Sequence, residues 1–268
     1  MHIKANGIQM NYELSGKEGA PVVVLSHSLG SSIAMWDPQV KPLEAHFRVL
    51  RYDTRGHGGS DAPEGAYTFG LLGADAAALL DALEIDRVHW VGLSMGGMIG
   101  QFVALHHADR LRSLALCDTA AIMSEEVQPI WQERIDTVRL NGMQALVQPT
   151  LERWFRPSFL SQNPLEVEII QRHFLETPVE GYIGCSEAIR KLNYLDQLSA
   201  IQMPTLIMVG KDDPATPVAA SEAMHDAIQD SRMVVISNAA HLSNVEQADA
   251  FNRALLDFLL EHFKESKS

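Results

Sequence analysis

Six residues, Gly92-Leu93-Ser94-Met95-Gly96-Gly97, lie directly between a β-branched apolar run, Val88 to Val91, and a helix-like stretch, Met98 to His107. The order is strand, tight turn, helix. At the apex of such a turn a serine is held in a strained backbone conformation, and the flanking glycines are needed because a Cβ there collides with the neighbouring strand or helix. The Ser94 hydroxyl then projects by itself, beside helix N–H groups able to receive negative charge.

Further short runs rich in Val, Ile and Leu occur at Ile8 to Leu14, Val22 to Ser26, Val49 to Tyr52, Leu114 to Cys117, Thr205 to Val209 and Val234 to Ile236. From Val22 onward they are nearly continuous in apolar residues, as expected of a parallel sheet buried on both faces. Helical patterns separate them: Phe69 to Leu83, with Asp75 and Asp81 on its outer side, Met95 to His107, and Ala248 to Phe263. Such alternation predicts an α/β fold with right-handed crossovers, a mostly parallel central sheet and helices on both faces.

The alternation breaks between Ile122 and Tyr194. Amphipathic windows at Glu125 to Leu140, Met143 to Arg153, Leu165 to Glu176 and Gly181 to Leu192 are punctuated by Pro149, Pro157, Pro164 and Pro178. We read 122–194 as a helical cap inserted into a core of 1–121 and 195–268, with the tail Lys264 to Ser268 frayed. A length of 268 residues suits one α/β domain with an insertion.

Bulk properties narrow the setting. A net charge of −13 argues against nucleic acid or an anionic membrane as partner. No apolar run reaches the ~18 residues of a membrane span, and Met1 to Gly7 has no signal-type apolar region. Cys117 and Cys185 read as free buried thiols, which fits a cytoplasmic location.

A nucleophilic serine needs a base, and the base needs an acid to orient it. On this fold the order is serine, acid, histidine, each on a loop after a strand. His241 follows the last strand and precedes the last helix; His27 and His57 are weaker rivals. For the acid, Asp212 and Asp213 are adjacent and Asp118 follows Leu114 to Cys117. Asp213 is favoured because Pro214 and Pro217 fix its turn, whereas Asp118 followed by Thr119 reads as a helix or turn cap. Oxyanion donors are expected at the N–H groups of Met95 and Leu29, the latter in Ser26-His27-Ser28-Leu29-Gly30.

With these residues placed, the chain resembles the α/β-hydrolase superfamily along essentially its whole length. Tyr52 to Asp61 is similar to that superfamily's loop after the fourth strand, where Asp53 and Arg55 are structural. Within it the chain resembles the 3-oxoadipate enol-lactonases of aromatic catabolism. The similar stretches are Leu25 to Gly30 with Met35-Trp36, Leu151 to Phe155, Gly184 to Arg190, Asp213 to Pro217 and Ala240 to Asn244. One departure is His27, where the subfamily pattern has asparagine before Ser-Leu-Gly.

The resemblance implies Ser94 attack on a small anionic lactone, through an acyl-enzyme, with no cofactor and no metal. The substrate carboxylate calls for a local cation. The cap offers Arg134, Arg139, Arg153, Arg156, Arg172 and Arg190. Trp131 and Arg134, at i and i+3, share a helical face and either line the cleft together or serve the core and surface, Arg134 then pairing with Glu133 or Asp136. Trp154 is a pocket-wall or core residue, with its neighbour Arg153 expected to diverge from it. A carboxylesterase, a carbon–carbon bond hydrolase or a cofactor-free perhydrolase would carry the same triad, and a small-ligand receptor would keep the fold without turnover.

Overall fold

The computed structural model describes residues 1–162 and 164–263, and the expected frayed tail lies outside them. Eight strands form one sheet: β1 (His2–Ala5), β2 (Ile8–Gly16), β3 (Val22–Ser26), β4 (Arg48–Tyr52), β5 (Val88–Leu93), β6 (Leu111–Cys117), β7 (Thr205–Gly210) and β8 (Ser231–Ile236). Their spatial order is β1-β2-β4-β3-β5-β6-β7-β8. β2 pairs antiparallel with β1 and β4, and every later pairing is parallel. Burial follows position: β3, β5 and β7 are buried at every residue, whereas the edge strand β8 keeps exposed positions.

Helices α1 (Asp37–Glu44), α2 (Phe69–Ala82) and α3 (Met95–His106) connect the first strands. Between β6 and β7 lie α4 (Gln128–Asn141), α5 (Val147–Trp154), α6 (Pro157–Leu160), α7 (Leu165–Glu176) and α8 (Val179–Ile189). α9 (Val218–Ala227), α10 (Ser243–Glu246) and α11 (Ala248–Glu261) complete the chain. α2 packs on α3, and α1 packs on α11, so helices cover the sheet on both faces.

Several sequence expectations change here. β1 was not foreseen, because a four-residue edge strand with two exposed positions has no continuous apolar run. Asp75, expected outside α2, is buried, and both its oxygens accept from Arg55, at 2.7 Å each. That pairing explains how a carboxylate tolerates the interior. The ends of the segment between β6 and β7 meet: Tyr194 N–H donates to the Ala121 carbonyl at 2.7 Å and Met123 N–H to Leu192 at 3.0 Å. Its helix α8 approaches the core so closely that a Cβ on Gly181 would lie 1.9 Å from the Gly56 carbonyl oxygen.

Candidate active site

Ser94 stands between β5 and α3 with φ 55° and ψ −117°, a left-handed backbone that a non-glycine residue rarely adopts. The chain around it leaves no room for side chains. A Cβ on Gly92 would sit 2.1 Å from the Gly96 carbonyl oxygen, and one on Gly96 would sit 2.0 Å from that of Ser26. The turn is tied to β6 by Ser94 N–H donating to Cys117 O at 2.9 Å, and Thr119 Oγ1 donates to Ser94 O at 2.7 Å.

The three residues expected to form the relay come together. His241 Nε2 lies 2.9 Å from Ser94 Oγ, and His241 Nδ1 lies 2.8 Å from Asp213 Oδ2. Asp213 also accepts from Ala215 N at 2.8 Å, Thr216 N at 3.0 Å and Thr216 Oγ1 at 2.7 Å. Burial alone would raise this carboxyl, but His241 and the Thr216 donors outweigh it and hold it below the usual carboxylate range. An ionised Asp213 can therefore orient His241 and stabilise its cationic form.

Asp118 does not cap a helix or its own turn. It is fully buried, accepting from Gly210 N at 2.7 Å and from Ser243 Oγ at 2.5 Å. Burial, and then the charge of Asp213, raise its carboxyl well above the ordinary range.

The rival histidines are committed to backbone. His57 Nε2 accepts from Gly30 N at 2.8 Å, and His27 Nε2 accepts from Thr54 N at 2.9 Å. His27 Nδ1 donates to Ser28 O at 2.7 Å. Burial lowers both imidazoles, His57 to about 3 with His27 adding to the effect. Neutral rings thus hold the Ser28–Gly30 loop in place, and a Cβ on Gly30, at φ +70°, would strike Phe174. Among the described residues, neither Leu29 N–H nor Met95 N–H is spent on an acceptor.

A cavity of about 200 Å³ opens on this site. Ser28, Leu29, Ser94, Met98, Pro214 to Thr216 and His241 line it from the core. From the β6–β7 segment come Met123, Val127, Ile130, Trp131, Arg134, Thr150, Arg153, Trp154, Phe174, Tyr182 and Ile189. The Arg134 guanidinium lies 4.9 Å from the Trp131 ring centroid, so these two face the cavity together. Trp154 does so too, buried edge-on against Phe174 at 5.7 Å.

Arg153 was expected to diverge from Trp154, yet both line the cavity. Thr150, Arg153 and Trp154 stand at i, i+3 and i+4 on α5, a spacing that already places them on one stripe. Other arginines of the β6–β7 segment are occupied: Arg139 by Asp136, Arg156 by Glu246, and Arg190 by Glu187 and Gln132. Arg172 is exposed.

Comparison with known proteins agrees with this geometry. A family profile described as alpha/beta hydrolase fold matches residues 21–248. The chain is 37% identical over 253 residues to 3-oxoadipate enol-lactonase 2 of Acinetobacter baylyi, covering 94% of each chain. It is similar to the crystal structure of the enol-lactonase from Burkholderia xenovorans, with TM-score 0.93, 42% identity, and coverage of 97% of this chain and 100% of that one. It is also similar to a thermophilic esterase from Thermogutta terrifontis, at TM-score 0.92 and 30% identity over 98% of this chain and 100% of that one. On the extent of these matches, the chain belongs to the α/β-hydrolase family.

Proposed function

We propose that this protein is a serine hydrolase that opens 3-oxoadipate enol-lactone, a small anionic lactone, to 3-oxoadipate. The observation that carries this reading is the pairing, around one cavity, of the Ser94–His241–Asp213 relay with arginines that have no carboxylate partner among the described residues. Enol-lactonase relatives at 37% and 42% identity support the substrate class.

In this mechanism His241 Nε2 takes the Ser94 proton as Oγ attacks the lactone carbonyl. The developing oxyanion is received by the N–H groups of Met95 and Leu29, which have no other acceptor among the described residues. Collapse breaks the ring carbon–oxygen bond, His241 protonates the departing enol oxygen, and the enol tautomerises to a ketone. Water activated by His241 then cleaves the acyl-enzyme. Trp131 and Trp154 form cavity walls, and Arg134, held over Trp131, faces the substrate carboxylate. The segment 122–194 serves as the cap that carries this recognition, and Leu242 N–H donating to Trp154 O at 3.0 Å couples it to the His241 loop.

The test is the ultraviolet decay of freshly generated enol-lactone with wild type and Ser94→Ala, alongside p-nitrophenyl acetate. Rapid Ser94-dependent lactone loss with little ester hydrolysis supports the assignment. Good ester turnover with an untouched lactone would leave a serine hydrolase and overturn the substrate.

A further inference from the structure

Two guanidinium groups share the cap side of the cavity. Arg134 comes from α4 and Arg153 from α5, and both side chains line the same space as Ser94. Arg153 Nη2 donates to Thr150 Oγ1 at 3.0 Å, a neutral partner. Among the described residues no carboxylate pairs with either arginine, although their cap neighbours Arg139, Arg156 and Arg190 each have one. Burial, followed by the positive charge of Arg134, pushes the Arg153 guanidinium down to about 10. The buried Tyr182 phenol sits in the field of both cations. Two like charges brought together in a half-buried wall are unfavourable unless something anionic completes them.

We propose that Arg134 and Arg153 form a two-cation clamp for one carboxylate, and that the cavity therefore binds linear dicarboxylates with one end on the clamp and the other at the Ser94 oxyanion site. This rests on the lactone reading above, which supplies the ligand. Hydrolysis adds water across the acyl carbon–oxygen bond, and ionisation of the new carboxyl releases one proton, so a monoanionic lactone leaves as a dianion. The product then has a charge for each end of the cavity, and product-like diacids are competitive inhibitors. Arg153 sets this preference, since the second cation distinguishes a carboxylate end from an apolar one.

Calorimetric titration of wild type, Arg153→Gln and Arg153→Lys with hexanedioate and with hexanoate tests the clamp without needing turnover. Wild type binds hexanedioate about tenfold or more tighter than hexanoate, the order of one charge-assisted contact. Arg153→Gln narrows that ratio to about threefold or less, and Arg153→Lys restores part of it. Equal affinities in wild type, no binding of either acid, or a hexanedioate affinity unmoved by Arg153→Gln overturns the clamp. If Arg153→Gln does not fold, salt decides: wild-type affinity for hexanedioate must weaken more steeply than that for hexanoate. A protein that shows the preference but leaves the lactone untouched retains the clamp and loses the lactonase reading.

Discussion

Ser243 donates its hydroxyl to Asp118 at 2.5 Å, and through that bond the loop bearing His241 is fastened to the end of β6. The other Asp118 oxygen holds Gly210 N–H at 2.7 Å, where β7 gives way to the loop bearing Asp213. One buried carboxyl thus braces both partners of Ser94 from behind.

Replacing Asp118 with alanine strands two buried donors, Gly210 N–H and Ser243 Oγ–H. The expected cost is about 2–6 kcal/mol of stability, from roughly 1–3 kcal/mol for each group left unpaired. Turnover falls as well, because the relay loses its brace. Urea unfolding and kcat on the same preparation check this; unchanged stability would show that water replaces the carboxyl.

Gly96→Ala is expected to abolish activity and to destabilise the fold by more than about 3 kcal/mol, the upper range for overpacking a core. Its Cβ would meet backbone, the Ser26 carbonyl, at 2.0 Å, and backbone of a central strand cannot rotate aside. Circular dichroism melting and labelling by a serine-directed phosphonate report the two effects separately. A stable, fully labelled variant would contradict the packing described for the turn.

Acid should weaken the fold before it reaches ordinary carboxylate titration. Burial lowers His27, His57 to about 3 and His89 to about 4, so the folded chain keeps these rings neutral where the unfolded chain protonates them near 6.5. Their contribution is complete above about pH 6.5 and is lost as pH falls toward 4, by up to about 1.4 kcal/mol per pH unit for each ring. Asp118, whose raised carboxyl holds a proton more tightly when folded, works in the opposite direction, but one group opposes three. A lower urea midpoint at about pH 5 than at about pH 7.5 is the expected result. Equal midpoints would mean that the folded interior accepts the charged rings.

Arg134→Gln is expected to raise KM for the anionic lactone by about ten- to a hundredfold, the value of one charged hydrogen bond. For a neutral acetate ester KM should move little, because no carboxylate is lost from the cation. Parallel saturation curves on both substrates make the comparison. An equal rise on both would place Arg134 in shaping the cavity, since it also rests on Trp131.

The sheet was legible in the sequence where physics makes strands obvious. β3, β5 and β7 are buried on both faces and so read as unbroken apolar runs, and the glycine-framed turn after β5 marks where Ser94 stands. The order Ser94, Asp213, His241 follows from chain topology, because the carboxyl ends of successive parallel strands share one edge. Pairing across the fold was hidden. Local periodicity put Asp75 outside, and the approach of Arg55 and Asn6 from distant parts of the chain makes its burial tolerable. Asp118 looked like a cap because sequence shows its neighbour Thr119 and conceals Gly210 and Ser243.

The segment between β6 and β7 shows the same division most plainly. Its helices and its supply of arginines are properties of the sequence, set by local periodicity and composition. Which arginines remain for a ligand is a tertiary result: Asp136, Glu246 and Glu187 take up Arg139, Arg156 and Arg190, and leave Arg134 and Arg153 facing Ser94. Charge is written residue by residue along the chain, but its neutralisation depends on distances that only folding creates.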